Sequence, residues 1–172
     1  MEEALDIPWS LGALRLRPER AEDRDFRLRL FLDSRLPEFA LLERSVGAAT
    51  YQQVMRMQFE AQTVSYRTNF PRARFDIIEL DGEAIGRIVV DRPGGMIHIV
   101  DQAVTPGLRN RGIGSAIMRA LMDEAATCEL PVRLKVASSN DPSMRLYLRL
   151  GFEPIETAPL YLEMEWRNVE AP

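Results

Sequence analysis

The order of apolar and polar residues near the N-terminus predicts one strand and then a helix. Residues 12–18 alternate between the two types and end at a proline, which is typical of a half-buried strand. Residues 21–33 place Phe26 and Leu30 at helical spacing, with acidic residues in the first turn. We expect the chain to break at Pro37, because proline lacks the N–H that a helix interior needs.

A longer helical pattern covers residues 50–70 and ends before Pro71. Its repeat predicts one broad face, made by Tyr51, Val54, Met55, Gln58, Phe59, Gln62 and Tyr66. The two glutamines and the second tyrosine are polar, so this face either lines a pocket for a polar molecule or turns one edge to solvent. Glu60 is a further acid that such a pocket would offer.

The second half of the chain predicts a sheet whose strands are joined by hairpins and helices. Asp81-Gly82 separates two apolar runs, which is a strong signal for a β-hairpin. Helices are expected over about 111–127 and 141–151. The predicted strands are 73–80, 83–91, 96–104, 131–138, 152–158 and 160–166. This order indicates a mixed α/β domain in which the helices return the chain to one sheet.

The composition is that of an ordinary globular protein. Of the 172 residues, 46% are hydrophobic and 28% are charged, and the length fits one domain with a real core. The net charge of −4 argues against a nucleic-acid partner, which normally requires a basic surface. No apolar run approaches the ~20 residues that span a bilayer, and the first residues do not resemble a signal peptide. We therefore expect no membrane partner and a cytoplasmic location.

One cysteine and one histidine limit the metal and thiol chemistry of the chain. A single cysteine forms no internal disulfide, which fits a reducing compartment. A structural zinc site needs four ligands of the cysteine and histidine type, so we expect no metal. We interpret Cys128 as a small buried hydrophobic residue and not a nucleophile, because no activating partner is identifiable.

Residues 105–121 combine backbone freedom and positive charge directly before a helix. Gly112 and Gly114 let a large ligand approach the backbone, and Arg109 and Arg111 add charged donors. The free N–H groups and the dipole of a helix N-terminus favour an anion, so this loop predicts a phosphate or pyrophosphate site. The residues that a Walker loop or a dinucleotide fingerprint requires are absent. The other interpretation is a plain strand-to-helix loop with surface arginines.

Two motifs of this half resemble those of the GNAT superfamily of N-acyltransferases. Arg109-x-x-Gly112-x-Gly114 before an apolar helix is similar to the acyl-CoA pyrophosphate motif of that superfamily. Residues 136–152 are similar to a later segment of it, and the matching residues are Asn140, Tyr147, Gly151 and Phe152. Two motifs in this order and at this separation are more specific than either alone.

The resemblance extends over about residues 73–167 and is weaker over 12–70. It implies one N-acetyltransferase domain over 1–172, with the acceptor-side helices in the first part and the acyl-CoA-binding core in the second. The implied fold is α/β, with a mixed, mostly antiparallel central sheet of six to seven strands that is splayed open. About four helices would flank this sheet.

The resemblance also implies that an acetyl group passes from acetyl-CoA, as co-substrate, to a primary amine by direct attack in a ternary complex. Backbone N–H groups near Ala103 and Val104 would bond the pantetheine arm and polarise the thioester. The pyrophosphate would lie against the loop made by Arg109, Asn110, Arg111, Gly112, Ile113, Gly114 and Ser115.

Tyr147 and Asn140 each have two interpretations. By resemblance, Tyr147 protonates the departing thiolate and Asn140 bonds the pantetheine arm or an ordered water. From the residues alone, Tyr147 is a partly buried side chain beside Leu146 and Leu150 on a short amphipathic helix. Asn140 is equally suited to cap the N-terminus of that helix.

The base that takes the amine proton is either His98 or Asp101. His98 is the one histidine, and its unperturbed pKa of ~6.5 suits proton removal near neutrality, although a core histidine is the other interpretation. Simple alternation puts His98 with Gln102 and Val104 on one face and Asp101 with Ala103 on the other. Both face the substrate only if the strand is bulged, which the resemblance implies.

The acceptor stays open among an amine-bearing small molecule, a protein N-terminus and a lysine side chain. The resemblance also leaves open a homodimer formed through the final strands. A hypothesis of another class is a domain that binds acyl-CoA as a sensor without turnover. The presence of Tyr147 favours the enzyme.

Overall fold

The computed structural model describes residues 4–168, with the side chains of 35–42 left out of the description. The strands are β1 (Leu5–Ile7), β2 (Leu14–Pro18), β3 (Arg74–Leu80), β4 (Glu83–Asp91), β5 (Ile97–Val104), β6 (Val132–Ala137), β7 (Glu153–Thr157) and β8 (Tyr161–Trp166). The α-helices are α1 (Arg24–Val46), α2 (Ala48–Asn69), α3 (Ile113–Thr127) and α4 (Asp141–Arg149). Short 3-10 helices cover Ala21–Asp23 and Pro106–Leu108.

The strands form one sheet in the order β1-β2-β3-β4-β5-β6-β8-β7. Neighbours are antiparallel except β5 and β6, which are parallel and pair only over residues 97–99 with 132–134. Both strands continue beyond this point, to Val104 and Ala137, without pairing to each other. The expected α/β fold with a mixed, mostly antiparallel, splayed sheet is therefore confirmed.

The main core lies between α3 and the sheet. Apolar residues of α3 recur at helical spacing and are buried there, namely Ile113, Ile117, Met118, Leu121 and Ala125. The opposite face of the sheet carries α1 and α2, which share a smaller cluster of Leu28, Phe31, Tyr51, Met55 and Phe59. On the predicted face of α2, Tyr51, Met55 and Phe59 are buried, and the other four residues are partly buried. Over residues 4–168, no helix has the length and apolar character needed to cross a bilayer.

The sheet has eight strands in the described residues, where six to seven were expected. The additional strand is β1, which pairs with β2 so that Leu5 lies opposite Leu16 and Ile7 opposite Leu14. Ile7 is buried and Leu5 is exposed. Three residues are too few for alternation to be visible in the sequence, so only the pairing with β2 reveals this strand.

Helix α1 continues through Pro37 to Val46, so the expectation that the chain breaks at this proline is wrong. Proline removes one backbone hydrogen bond from a helix interior, at a cost of about 3 kcal/mol. The first half of α1 buries Leu28, Leu30 and Phe31, and the helix packs along α2. Tertiary packing of this kind outweighs local propensity and keeps the helix continuous.

Candidate active site

The predicted phosphate loop joins β5 to α3, and its backbone depends on glycine. Gly112 has φ +85°, in the left-handed region that side chains disfavour, and it directly precedes α3. Asn110 also has a positive φ, of 61°. The N–H of Ala116 donates to the carbonyl of Gly112 at 2.9 Å, and no described side chain caps this helix. The N–H groups of residues 113–115 precede that bond and have no acceptor within the helix, an arrangement that favours an anion.

Trp9 and Arg109 hold this loop from two sides. A Cβ on Gly112 would lie 3.2 Å from Cη2 of Trp9, so the indole ring packs directly against the glycine. The Nε of Arg109 donates to the carbonyl of Val104 at 2.9 Å. The loop is therefore tied both to the segment after β1 and to the end of β5.

Gly114 lies where the gap in the sheet meets α3 and α4. A Cβ there would contact Gln102 and Leu146 only at 3.7 Å, which is ordinary van der Waals distance. The Nε2 of Gln102 is buried and has no hydrogen-bond partner among the described residues. The protein's own packing thus permits a side chain at position 114, and this glycine leaves space that a ligand can use.

Helix α4 follows β6, with Asn140 at its N-cap and Tyr147 in its second half. The Oδ1 of Asn140 accepts a hydrogen bond from the N–H of Ser143 at 3.3 Å, so this residue does cap the helix. Tyr147 packs against the main core, and its ring centre is 5.8 Å from that of Phe152. Burial raises the pKa of Tyr147 to about 12, and the negative charge of Asp101 acts in the same direction.

Strand β5 contains a bulge at Val100. Two adjacent residues of β4 pair with Ile99 and Asp101, which leaves no residue opposite Val100. The additional residue reverses the alternation, so that His98 and Asp101 both face α1 and α2. The ring of His98 lies 5.4 Å from that of Phe70 beside the end of α2, and Asp101 lines a cavity against both helices. The bulge therefore brings both predicted bases, His98 and Asp101, to one face of β5.

His98 is half-buried between β4, β6 and the end of α2. Burial lowers the pKa of its imidazole, and the negative charges of Asp91 and Glu163 oppose this effect only in part. Asp91 is the residue directly opposite it on β4. Neutral imidazole is therefore the form expected at pH 7.

A cavity of about 80 Å³ opens between α1, α2, β4 and β5. The residues around it are Arg27, Leu30, Phe31, Ser34, Phe59, Gln62, Arg87, Asp101 and Ala103. The polar edge of α2 thus lines a pocket through Gln62, whose Nε2 donates to the Oη of Tyr66 at 3.2 Å. Glu60 instead forms an ion pair with Arg24, and both side chains are about half-exposed.

A cluster of charges under this cavity is not apparent from the sequence. The side chain of Glu19 is 3% exposed and is surrounded by arginines from α1, α2 and β4. Its Oε1 lies 3.1 Å from Nη1 of Arg27 and 2.7 Å from Nη2 of Arg67, and its Oε2 lies 3.1 Å from Nε of Arg87. The only signal in the sequence is that Arg27 and Arg87 stand among apolar residues of buried elements.

Cys128 is exposed, so its interpretation as a buried residue is wrong. Helix α3 ends at Thr127, before the turn that would place residue 128 on the buried stripe. The site described above makes no use of this thiol.

The splayed sheet, the glycine-dependent loop at the gap and the cavity on the other face of β5 define an α/β domain of the acyl-CoA N-acyltransferase type. The chain belongs to the acetyltransferase (GNAT) family, whose model matches residues 36–152. The matched range contains both motifs that carried the resemblance, which is thereby confirmed.

Curated relatives include two archaeal proteins. The chain is 34% identical over 92 residues to an uncharacterised N-acetyltransferase of Methanocaldococcus jannaschii, a match that covers 52% of this chain and 58% of that protein. It is 33% identical over 104 residues to an N-alpha-acetyltransferase of Sulfurisphaera tokodaii, a match that covers 52% of this chain and 62% of that protein. The chain therefore spans about three fifths of the length of the curated relatives it matches.

Solved structures show the same fold. The PaiA N-acetyltransferase from Thermoplasma acidophilum, in complex with coenzyme A, is similar with a TM-score of 0.67. The similarity covers 90% of this chain and 99% of that one, at 16% sequence identity.

Proposed function

We propose that this protein transfers an acetyl group from acetyl-CoA to a primary amine by direct attack, without a covalent enzyme intermediate. The observation that carries the proposal is the gap between β5 and β6, which ends at the uncapped N-terminus of α3. The cavity opens on the other face of β5, so a pyrophosphate-bearing co-substrate and an amine have separate sites. The family supports this chemistry, and the N-alpha-acetyltransferase relative supports a protein N-terminus as one acceptor.

The loop fits the pyrophosphate of acetyl-CoA, a co-substrate that would supply the activated thioester when bound. The N–H groups of residues 113–115 and the α3 dipole create a positive field, and Arg109 and Arg111 are exposed beside it. Gly112 leaves the backbone open where a Cβ would otherwise project. Gln102 offers a buried donor without a partner in the described chain, which suits the polar pantetheine arm.

Val104 is the proposed donor to the thioester carbonyl oxygen. The N–H of Thr105 donates to the carbonyl of Ile85 in β4 at 2.8 Å. Since peptide groups alternate along a strand, the N–H of Val104 faces the gap, and its carbonyl bonds Arg109 instead of β4. A donor fixed in this direction stabilises negative charge that develops on the oxygen. Ala103 has the opposite orientation and contributes to the cavity.

Asp101 is the proposed acceptor of the amine proton. It lines the cavity, and its charge acts on Tyr147 at the gap. At ~3.3 Å per residue, Asp101 lies about 10 Å along β5 from Val104, whereas His98 lies about 20 Å away. The nitrogen becomes strongly acidic as it bonds to the carbonyl carbon, so a carboxylate is a sufficient base. His98, neutral at pH 7, is the second candidate and would need a longer chain of waters.

Tyr147 is the proposed hydrogen-bond donor to the leaving sulfur. With a pKa of about 12 its phenol stays protonated at neutral pH. A thiol has a pKa of ~8.5, so complete transfer of the phenol proton to a thiolate is uphill by roughly 5 kcal/mol. The phenol therefore stabilises the thiolate by a hydrogen bond, and the proton that finally reaches sulfur is the one that Asp101 has taken from the amine. Asn140 fixes the start of the helix that carries this tyrosine.

Thermal unfolding with added ligands, followed by a thiol-release assay, tests this function. CoA and acetyl-CoA at 100 times their Kd should stabilise the protein by about 2.7 kcal/mol, and ATP should not. Free thiol should then appear from acetyl-CoA only when an amine acceptor is present. The absence of a shift, or an equal shift with ATP, would contradict the CoA site. A shift without thiol release from any amine would identify an acyl-CoA sensor instead.

A further inference from the structure

We infer that the cavity between α1, α2 and β5 is built for a primary amine that carries a carboxylate a few atoms from its nitrogen, with Arg27 and Arg87 binding that carboxylate. This inference rests on the proposed function, since the cavity is taken as the amine site. The same chemistry occurs in a protein N-terminus whose first residue is acidic and in a small amino acid.

Arg27 and Arg87 lie under the cavity and share Glu19 as a buried counter-ion. Arg67 also contacts Glu19, but its side chain is 54% exposed, so solvent screens its charge. Asp101 lies 3.8 Å from Nη1 of Arg87. The side chains of Arg27 and Arg87 are only 9% and 6% exposed. Asp23, a further nearby acid, accepts hydrogen bonds from Nη1 and Nη2 of Arg17 at 2.7 and 2.8 Å. Its charge is therefore paired with Arg17 and not with Arg27 or Arg87. A bound carboxylate would add an acceptor to the one that Arg27 and Arg87 share.

Three of the arginine nitrogens also make no hydrogen bond. The Nη2 of Arg87 and the Nε and Nη1 of Arg27 are buried and have no hydrogen-bond partner within the described residues, and both residues line the cavity. A buried charged donor without an acceptor is strongly unfavourable. Burial lowers the pKa of Arg27, and the neighbouring charges of Arg87 and Arg67 add to this effect against the attraction of Glu19. Both observations indicate a place that an anion completes.

The geometry favours a carboxylate close to the reacting nitrogen. A guanidinium presents planar, paired donors that match the two oxygens of a carboxylate. Arg87 lies beside Asp101, the proposed proton acceptor, so the amine and the anion sites are adjacent. A cavity of about 80 Å³ has room for a few waters or one short side chain. Phe59 and Phe31 confine that side chain from the helices.

The arginines are held in place before any ligand binds. Arg87 lies 5.5 Å from the ring centre of Phe75 and 5.9 Å from that of Tyr66, and Arg27 lies 5.6 Å from that of Phe59. Glu19 accepts a hydrogen bond from Nε of Arg87 and forms an ion pair with Arg27 from below. The donors are therefore preorganised, which reduces the entropy lost when a carboxylate binds.

Matched acceptors test the inference. Two peptides that differ only in glutamate or glutamine as the first residue have side chains of the same shape, and β-alanine with propylamine form the small-molecule pair. Thiol release gives kcat/KM, and calorimetry with CoA in place of acetyl-CoA gives Kd without turnover. We expect the acid-bearing member of at least one pair to be preferred by about 10- to 100-fold. A preference in the peptide pair assigns a protein N-terminus, and one confined to the small amines assigns a small molecule.

Substitutions of the arginines separate binding from folding. Arg27→Gln should reduce the preference to nearly one, and Arg27→Lys should reduce it while keeping the charge beside Glu19. Arg67→Gln is the matched control, because Arg67 bonds the same glutamate, is about half-exposed and is not among the residues around the cavity. This control should keep the preference. Circular dichroism on each variant verifies that it is folded.

Three outcomes separate the inference from the function on which it rests. Equal kcat/KM and Kd within both pairs, including no binding at all, would overturn the inference, as would a preference that persists in folded Arg27→Gln. Thiol release without a preference would leave the proposed function standing alone. Preferential binding of the acid-bearing member without thiol release would support the carboxylate site and contradict the proposed transferase function.

Discussion

Replacing Gly112 by alanine is the sharpest test of the phosphate loop, because the structure separates the effects of the added methyl group. Residue 112 has φ +85°, and a residue with a Cβ is strained there by about 1–2 kcal/mol. The Cβ would also lie 3.2 Å from Cη2 of Trp9, so the indole ring has to move by a few tenths of an ångström. We expect the free energy of unfolding of Gly112→Ala to fall by about 1–2 kcal/mol.

The same methyl group would project where the pyrophosphate approaches the N–H groups of residues 113–115. Losing a hydrogen bond to a charged group weakens binding by about 1.5–3 kcal/mol, which corresponds to roughly 10- to 100-fold in Kd for CoA. Urea denaturation measures the loss of stability, and isothermal titration calorimetry with CoA measures the loss of affinity.

Two other glycines serve as controls that separate the loss of stability from the loss of affinity for CoA. Gly95 has φ +82° with nothing within 4 Å of its Cβ position, so Gly95→Ala should be similarly strained and bind CoA normally. Gly114→Ala adds a methyl group to an unstrained helical residue, so it should be no less stable and should still bind CoA more weakly. If Gly112→Ala and Gly114→Ala both bind CoA as the wild type does, this loop does not hold the pyrophosphate.

Three further substitutions test the rest of the site. Tyr147→Phe should lower kcat about 10- to 100-fold, since one hydrogen bond to a charged sulfur is lost, with Kd for CoA unchanged; an unchanged kcat would leave the ring a packing role only. Burial places the pKa of His98 in the folded state below its unfolded value of ~6.5, so protonation favours the unfolded chain and stability falls as the pH drops through that range. His98→Gln should therefore lose less stability than the wild type between pH 7 and pH 5, and parallel urea-denaturation curves would refute this. Glu19→Gln removes the buried counter-charge of Arg27 and Arg87 and should lower the free energy of unfolding by about 3–5 kcal/mol. Asp6→Asn is the control, because Asp6 forms an exposed pair with Arg15, and this variant should unfold at the wild-type urea concentration. Equal effects of these two changes would show that the Glu19 cluster contributes nothing to the stability of the fold.

Local patterns in the sequence were sufficient for most elements and for the backbone of the loop before α3. The hairpin at Asp81-Gly82 and the buried face of α2 follow from turn chemistry and from the helical repeat, which depend only on neighbouring residues. The loop around Gly112 is equally local, because a helix N-terminus and a positive φ involve a few consecutive residues. For the same reason, the two motifs that show the family are continuous stretches of sequence.

The acceptor side depends on contacts between elements that are far apart in the chain. Alternation within β5 separates His98 from Asp101, and only the pairing with β4, which leaves Val100 unopposed, brings them to one face. The sequence by itself determined where most helices and strands and the glycine-dependent loop before α3 lie, since each follows from neighbouring residues. Strand β1 and the continuation of α1 through Pro37 depend on tertiary contacts. Only the tertiary structure decided that Glu19 and the three arginines meet under one cavity, because the partner of a buried charge is chosen by the packing of four different segments.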